Sequence, residues 1–84
     1  MEISGTVHHI GEVESSGNNG FTKRLLVVKT NEQFPQLIPI DFVKDKISLI
    51  EFTKINQSVK VQVNLRGNEN NGRYYLNLQG WKIE

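Results

Sequence analysis

From Ser58 to Arg66 the chain alternates without a break: Val59, Val61, Val63 and Leu65 fall on one phase, and Lys60, Gln62, Asn64 and Arg66 on the other. A two-residue period sends successive side chains to opposite faces of a strand, so this stretch predicts a strand with one face in a core and one in water. Asn71 and Gly72 then supply the positive φ angles of a two-residue hairpin turn, and Arg73 to Ile83 returns as the paired strand. On that return strand Tyr74, Leu76 and Leu78 share the phase expected to point inward, while Arg73, Tyr75, Asn77 and Gln79 share the outward phase. Trp81 falls on the outward phase, but its place near the strand end predicts packing over the core.

The same reading places three more strands upstream. Residues 2 to 13 carry Ile3, Gly5 and Val7 on one phase and Ile10 and Val13 off it, which predicts a long first strand with a bulge near His8 and His9. A loop, "ESSGNNG", leads to a second strand, "FTKRLLVVKT", rich in β-branched and large apolar residues. Its run Leu25 to Val28 is apolar on both phases, so one pair must lie outside any small core. A third strand around Leu37 to Phe42 contains Pro39, which cannot donate to a ladder and marks the strand as an edge or an irregular one. Val43, Ile47 and Ile50 follow at helical spacing with Asp45 near the start, predicting one short amphipathic helix.

Five strands with one helix between the third and fourth predict an all-β domain with one short helix. The match is a five-stranded Greek-key barrel of the oligonucleotide/oligosaccharide-binding (OB) fold, whose helix closes one end. Eighty-four residues are enough for one core, so residues 1 to 84 are read as a single domain. The absence of cysteine excludes disulfides and thiolate metal sites. No basic segment followed by an apolar run opens the chain and no stretch is long enough to span a bilayer, so a cytoplasmic protein without a membrane partner is expected. A net charge of +1 is far from the strongly basic balance of many nucleic-acid binders, so any cationic site must be local.

Catalytic chemistry finds little support in the residues. Adjacent strand residues leave opposite faces, so His8 and His9 are not expected to share a metal. Asp41 and Asp45 straddle a strand-to-helix boundary without the dense oxygen spacing of a calcium loop. Ser15 and Ser16 have no base placed by sequence to activate them. No enzyme activity, cofactor or metal is expected. What remains is a set of cationic and aromatic residues on strands and hairpins: Phe21, Lys23, Arg24 and Lys29 on the second strand, Arg66 on the fourth, and Arg73 and Tyr75 on the fifth. Cations neutralise phosphates and release counterions, and aromatic faces stack on unpaired bases at roughly 1–3 kcal/mol each.

The "MEISG" start, "GFTKRLLVVKT" and the span "INQSVKVQVNLRGNENNGRYYLNLQGWKIE" together resemble a group of short bacterial and phage proteins of unknown function with an OB fold. More distantly, the strand, hairpin and "RYY" order is similar to the second half of bacterial single-stranded DNA-binding proteins and of primosomal protein B. The resemblance implies a single-strand-binding accessory role in replication, recombination or repair, with Lys23, Arg24, Arg66, Arg73 and Tyr75 at contact positions. Two departures stand out: Phe21 occupies a position where many relatives carry tryptophan, and the acidic C-terminal tail of single-stranded DNA-binding proteins has no counterpart.

The function expected is therefore binding of single-stranded nucleic acid, DNA or RNA, across the second and third strands and the flanking loops. The outward pair of "LLVV" predicts a homodimer or higher homo-oligomer. A protein-interaction or assembly module without nucleic-acid binding is the alternative.

Overall fold

In a computed structural model, which describes residues 1–16 and 20–84, the chain is mostly β with one short helix. Six strands are formed, β1 (Glu2–Ile10), β2 (Glu14–Ser16), β3 (Phe21–Thr30), β4 (Leu37–Val43), β5 (Ser58–Asn70) and β6 (Arg73–Ile83), with a 3-10 helix, Lys44–Ile50, between β4 and β5. They make one sheet in the order β1-β5-β6-β4-β3-β2, and β1 also pairs with β3, so five of the strands join in a ring.

β1 makes that closure possible. Its first half pairs with β5, Glu2 opposite Gln62 through Thr6 opposite Ser58, and its second half with β3, Gly5 opposite Thr30 through Ile10 opposite Leu26. The expected bulge falls between Val7 and His9. It alters one expectation: Val7 pairs with buried Val28, His9 with outward Val27, and both histidines are exposed rather than divided between faces. The extra residue of a bulge shifts the phase so that the strand can bend. β1 ends at Ile10, short of the expected Val13, which is 53% exposed. Part of the expected loop is the short strand β2, which pairs back onto Phe21 to Lys23; residues 17–19 of it lie outside the described residues, and Gly20 is a turn residue.

The core gathers Val7, Leu26, Val28, Ile40, Phe42, Ile50, Val59, Val61 and Val63. The "LLVV" run divides as expected, with Leu26 and Val28 inside and Leu25 and Val27 half-buried outside. Pro39 sits on the outward phase of β4 opposite Val27. β4 pairs with β3 along its length and meets β6 only at Asp41 and Gln79, in parallel, so it lies inside the ring rather than at an edge, with one side only thinly paired. The expected helix is a 3-10 helix, with Ile50 buried and Ile47 half-buried against the core.

β6 departs most from expectation. Its inward phase is Tyr74, Leu76, Leu78 and Gly80, and exposure falls along it from 82% at Tyr74 through 68% at Leu76 to half-buried Leu78 and buried Gly80. Leu65 on β5, expected in the core, is 51% exposed, and Trp81 is 44% exposed. The cause is length. β1 covers β5 only as far as Gln62, with the Val63 amide donating to the Met1 carbonyl, whereas β5 and β6 pair on to Asn70 and Arg73. Residues 65–76 therefore project beyond the ring as a two-stranded arm whose inward phase is largely exposed. Asn71 (φ 54°) and Gly72 (φ 78°) make the expected turn at its tip.

Candidate functional site

The sequence-derived contact residues separate into two groups and one outlier. On β3 the outward phase carries Phe21, Lys23, Leu25, Val27 and Lys29. Lys23 and Lys29 are six residues apart, about 20 Å along a strand. Between them lie apolar Leu25, Val27 and Pro39 and the carboxylate of Asp41, and Glu14 stands opposite Lys23 in the β2 pairing. Lys44 joins this group. It takes a left-handed conformation (φ 51°), and its Nζ sits 6.0 Å from the centre of the Phe21 ring, at the outer limit of a cation–π contact.

Arg24 is the outlier. It lies on the inward phase, opposite buried Phe42, and its Nε donates to the Gly11 carbonyl at 2.8 Å while the Gly11 amide donates to the Leu25 carbonyl, also at 2.8 Å. Its guanidinium ties the end of β1 to β3, a structural use that strand phase alone did not reveal.

The second group lies on the outer face of the β5–β6 ribbon. Directly opposite residues share a face, so the pairs Asn64–Gln79, Arg66–Asn77, Asn68–Tyr75 and Asn70–Arg73 form one continuous surface. Arg66, Arg73 and Tyr75 thus come together, as expected. Further along the same ribbon, the register shift between Gln62 and Val63 leaves Gln62 opposite Lys82 and Val63 opposite Gly80, so Trp81 is the extra residue of a bulge. Tyr75 and Trp81 are 47% and 44% exposed. Lys60 and Lys82 extend the cationic row at the ring end.

Charge separates the two groups. The carboxylates near the ribbon's outer face are at the ring end: Glu84, in an ion pair with Lys82 at 3.3 Å, and Glu2, which accepts a hydrogen bond from the Gln62 amide at 2.9 Å. From Asn64 to Arg73 the outer phase carries two arginines and no acid, and neither arginine has an ion-pair partner among the described residues. The β3 face interleaves its lysines with Glu14 and Asp41. Because β5 and β6 are separated from β3 by β1 on one side and β4 on the other, the two outward surfaces leave the ring in different directions.

Trp81, expected to pack over the core, and Tyr74, expected inside it, are both exposed. Trp81 keeps the outward phase that alternation gives it, but neither the bulge that brings Lys82 to the same face nor the point where the ring ends has a local signal in the residues themselves. Lys60 was visible in the β5 alternation, but only the ribbon geometry joins it to Lys82 and Trp81.

A cleft of about 240 Å³ opens where β4 and β6 diverge from their one shared pair, lined by Ile38, Pro39, Asp41, Leu76, Asn77 and Leu78. Among the described residues no helix is long and apolar enough to cross a membrane, and no three His, Cys, Asp or Glu residues are grouped to hold a metal ion. No curated protein matches the chain. A family profile covers it almost entirely: over residues 2–84 the chain belongs to the family described as Domain of unknown function (DUF3127).

Proposed function

We propose that the protein is a non-catalytic module that binds single-stranded nucleic acid, DNA in the first instance, on the outer face of the β5–β6 ribbon. The observation that carries the reading is the composition of that face: Arg66 and Arg73 with no carboxylate on the same face from Asn64 to Arg73, two half-exposed aromatics, and a row of Asn and Gln between them. Unpaired bases stack on Tyr75 and Trp81, the arginines follow the phosphates, and the amides offer donors and acceptors that suit any base edge. Little sequence preference follows. The ring of five strands with one helix supports reading the fold as an OB barrel, with β2 as an addition to its first loop and the β5–β6 arm as its last hairpin. Lys23, Lys29, Lys44 and Phe21 then form a secondary track for a longer strand, and Arg24 serves the fold. A role as an accessory in replication, recombination or repair fits such a module.

The test is titration of labelled oligo-dT, oligo-U and a duplex of equal length at low salt. Binding of the single strands, with duplex weaker because its bases cannot stack, is the expected result. Absence of single-strand binding, or equal binding of duplex, refutes the reading.

A further inference from the structure

The two faces of the arm differ in chemistry, and only one belongs to the reading above. The inward-phase face pairs Leu65 with Leu78, Gly67 with Leu76 and Glu69 with Tyr74. Leu65, Leu76 and Tyr74 are 51%, 68% and 82% exposed, and the cleft between β4 and β6 continues the same apolar surface. An isolated two-stranded ribbon is marginal in water, and apolar surface of this extent marks a contact.

Gly67 says more about that contact. It lies inside β5 without a positive φ, and among the described residues a Cβ built on it would meet only the Tyr75 carbonyl oxygen, at an ordinary 3.8 Å. Neither backbone conformation nor packing among the described residues requires glycine there. The ladder shows no register shift at Gly67, which sets aside the bulge that a strand glycine often marks, and a close approach by another backbone is a further reason for one. The face carries no cation and holds Glu69, so a phosphate chain is repelled from it.

We propose that a second copy of the chain covers this face in an isologous dimer. A two-fold axis through the Gly67–Leu76 pair, perpendicular to the strands, lays two arms antiparallel with the rings at opposite ends. The glycines let the ribbons approach. Leu76 meets Leu76, and Tyr74, two residues from the axis, lies over Leu78 of the second copy at the mouth of its cleft. The ribbon face is about 20 Å long and buries on the order of 1,000 Å² in both copies together, at the low end for a specific interface, so association in the micromolar range is expected. The cationic faces stay open on the outside of the pair.

Sedimentation velocity from low micromolar to about 500 µM tests this, on the wild type, Gly67→Val and Tyr74→Ala, with melting temperature and oligo-dT affinity measured alongside. The wild type should pass from monomer to dimer. Gly67→Val, a residue well suited to a strand, should raise the dissociation constant about tenfold or more without lowering the melting temperature. Tyr74→Ala should weaken the dimer in the same direction. A wild type that stays monomeric throughout overturns the proposal, as does an unchanged constant for Gly67→Val. So does loss of oligo-dT binding in Gly67→Val with association unchanged, which would mean that nucleic acid takes this face. Failure of the wild type to bind oligo-dT would sink the proposed function but leave the sedimentation result decisive here.

Discussion

Replacing glycine by alanine should have opposite effects at two positions of the β5–β6 ribbon. At Gly80 an added Cβ would fall 2.4, 2.6 and 2.8 Å from three carbons of the Phe42 ring, so the ring must retreat by about 1 Å to reach ordinary contact beyond 3.4 Å. Phe42 has no accessible surface and is enclosed by the core, so the retreat displaces neighbouring core side chains. Overpacking of this kind costs about 1–3 kcal/mol. At Gly67 the added methyl meets nothing closer than 3.8 Å and φ is not positive, so the change should stabilise by roughly 0.5–1 kcal/mol through reduced backbone entropy. For 84 residues, an unfolding entropy of about 2.1 cal/mol/K each makes 1 kcal/mol worth roughly 6 °C. Gly80→Ala should therefore melt about 6–17 °C lower and Gly67→Ala about 3–6 °C higher. Thermal denaturation followed by circular dichroism, below the concentration at which copies associate, reads both. An unchanged melting temperature for Gly80→Ala would mean that Phe42 does not lie on the β6 backbone, and destabilisation by Gly67→Ala would mean that the arm packs on its own chain.

Other consequences are more local. Ile50→Ala should cost about 2–5 kcal/mol in chemical denaturation, because the 3-10 helix places that side chain wholly inside the core; a cost near zero would remove the helix from it. Gly72→Val forces a β-branched residue to the φ of 78° and should cost about 1–2 kcal/mol, with faster amide exchange confined to the arm; exchange rising equally in β1 would contradict an arm that frays independently of the ring. Arg24→Ala should destabilise by about 1–2 kcal/mol through loss of the bond to the Gly11 carbonyl, without changing the salt dependence of oligonucleotide binding; a flatter salt dependence would return Arg24 to the contacts.

Much of this architecture was legible in the residues because its determinants are local. The β5 alternation, the Asn71–Gly72 turn and the phase of Tyr74, Leu76 and Leu78 depend on period and turn chemistry alone, and the structure agrees with each. Burial on that phase was not legible, since it depends on where β1 and β4 stop, and those limits follow from pairings between distant segments. Leu65 and Val63 carry the same alternation signal, yet only Val63 lies under the ring. For the candidate site, Arg66, Arg73 and Tyr75 could be grouped because one hairpin carries them. Lys23 and Lys29 looked equivalent to them, and only the strand order reveals a different direction. The bond from Arg24 to Gly11 and the place of Lys82 on the outer face each depend on an irregularity, the end of β1 and the bulge in β6, that leaves no periodic trace.

The decisive measurement is the salt dependence of oligo-dT affinity for the wild type, for Arg66→Ala with Arg73→Ala, and for Lys23→Ala with Lys29→Ala. Each phosphate contact on a single strand contributes about 0.7 to the slope of log affinity against log salt, so removing both arginines should flatten it by about 1.4. The lysine pair should leave the slope for a short oligonucleotide unchanged, and Tyr75→Ala should weaken binding by about 1–3 kcal/mol at constant slope. A slope lowered by the lysine pair and untouched by the arginine pair would move the site to β3, and no measurable affinity at low salt would contradict single-strand binding altogether.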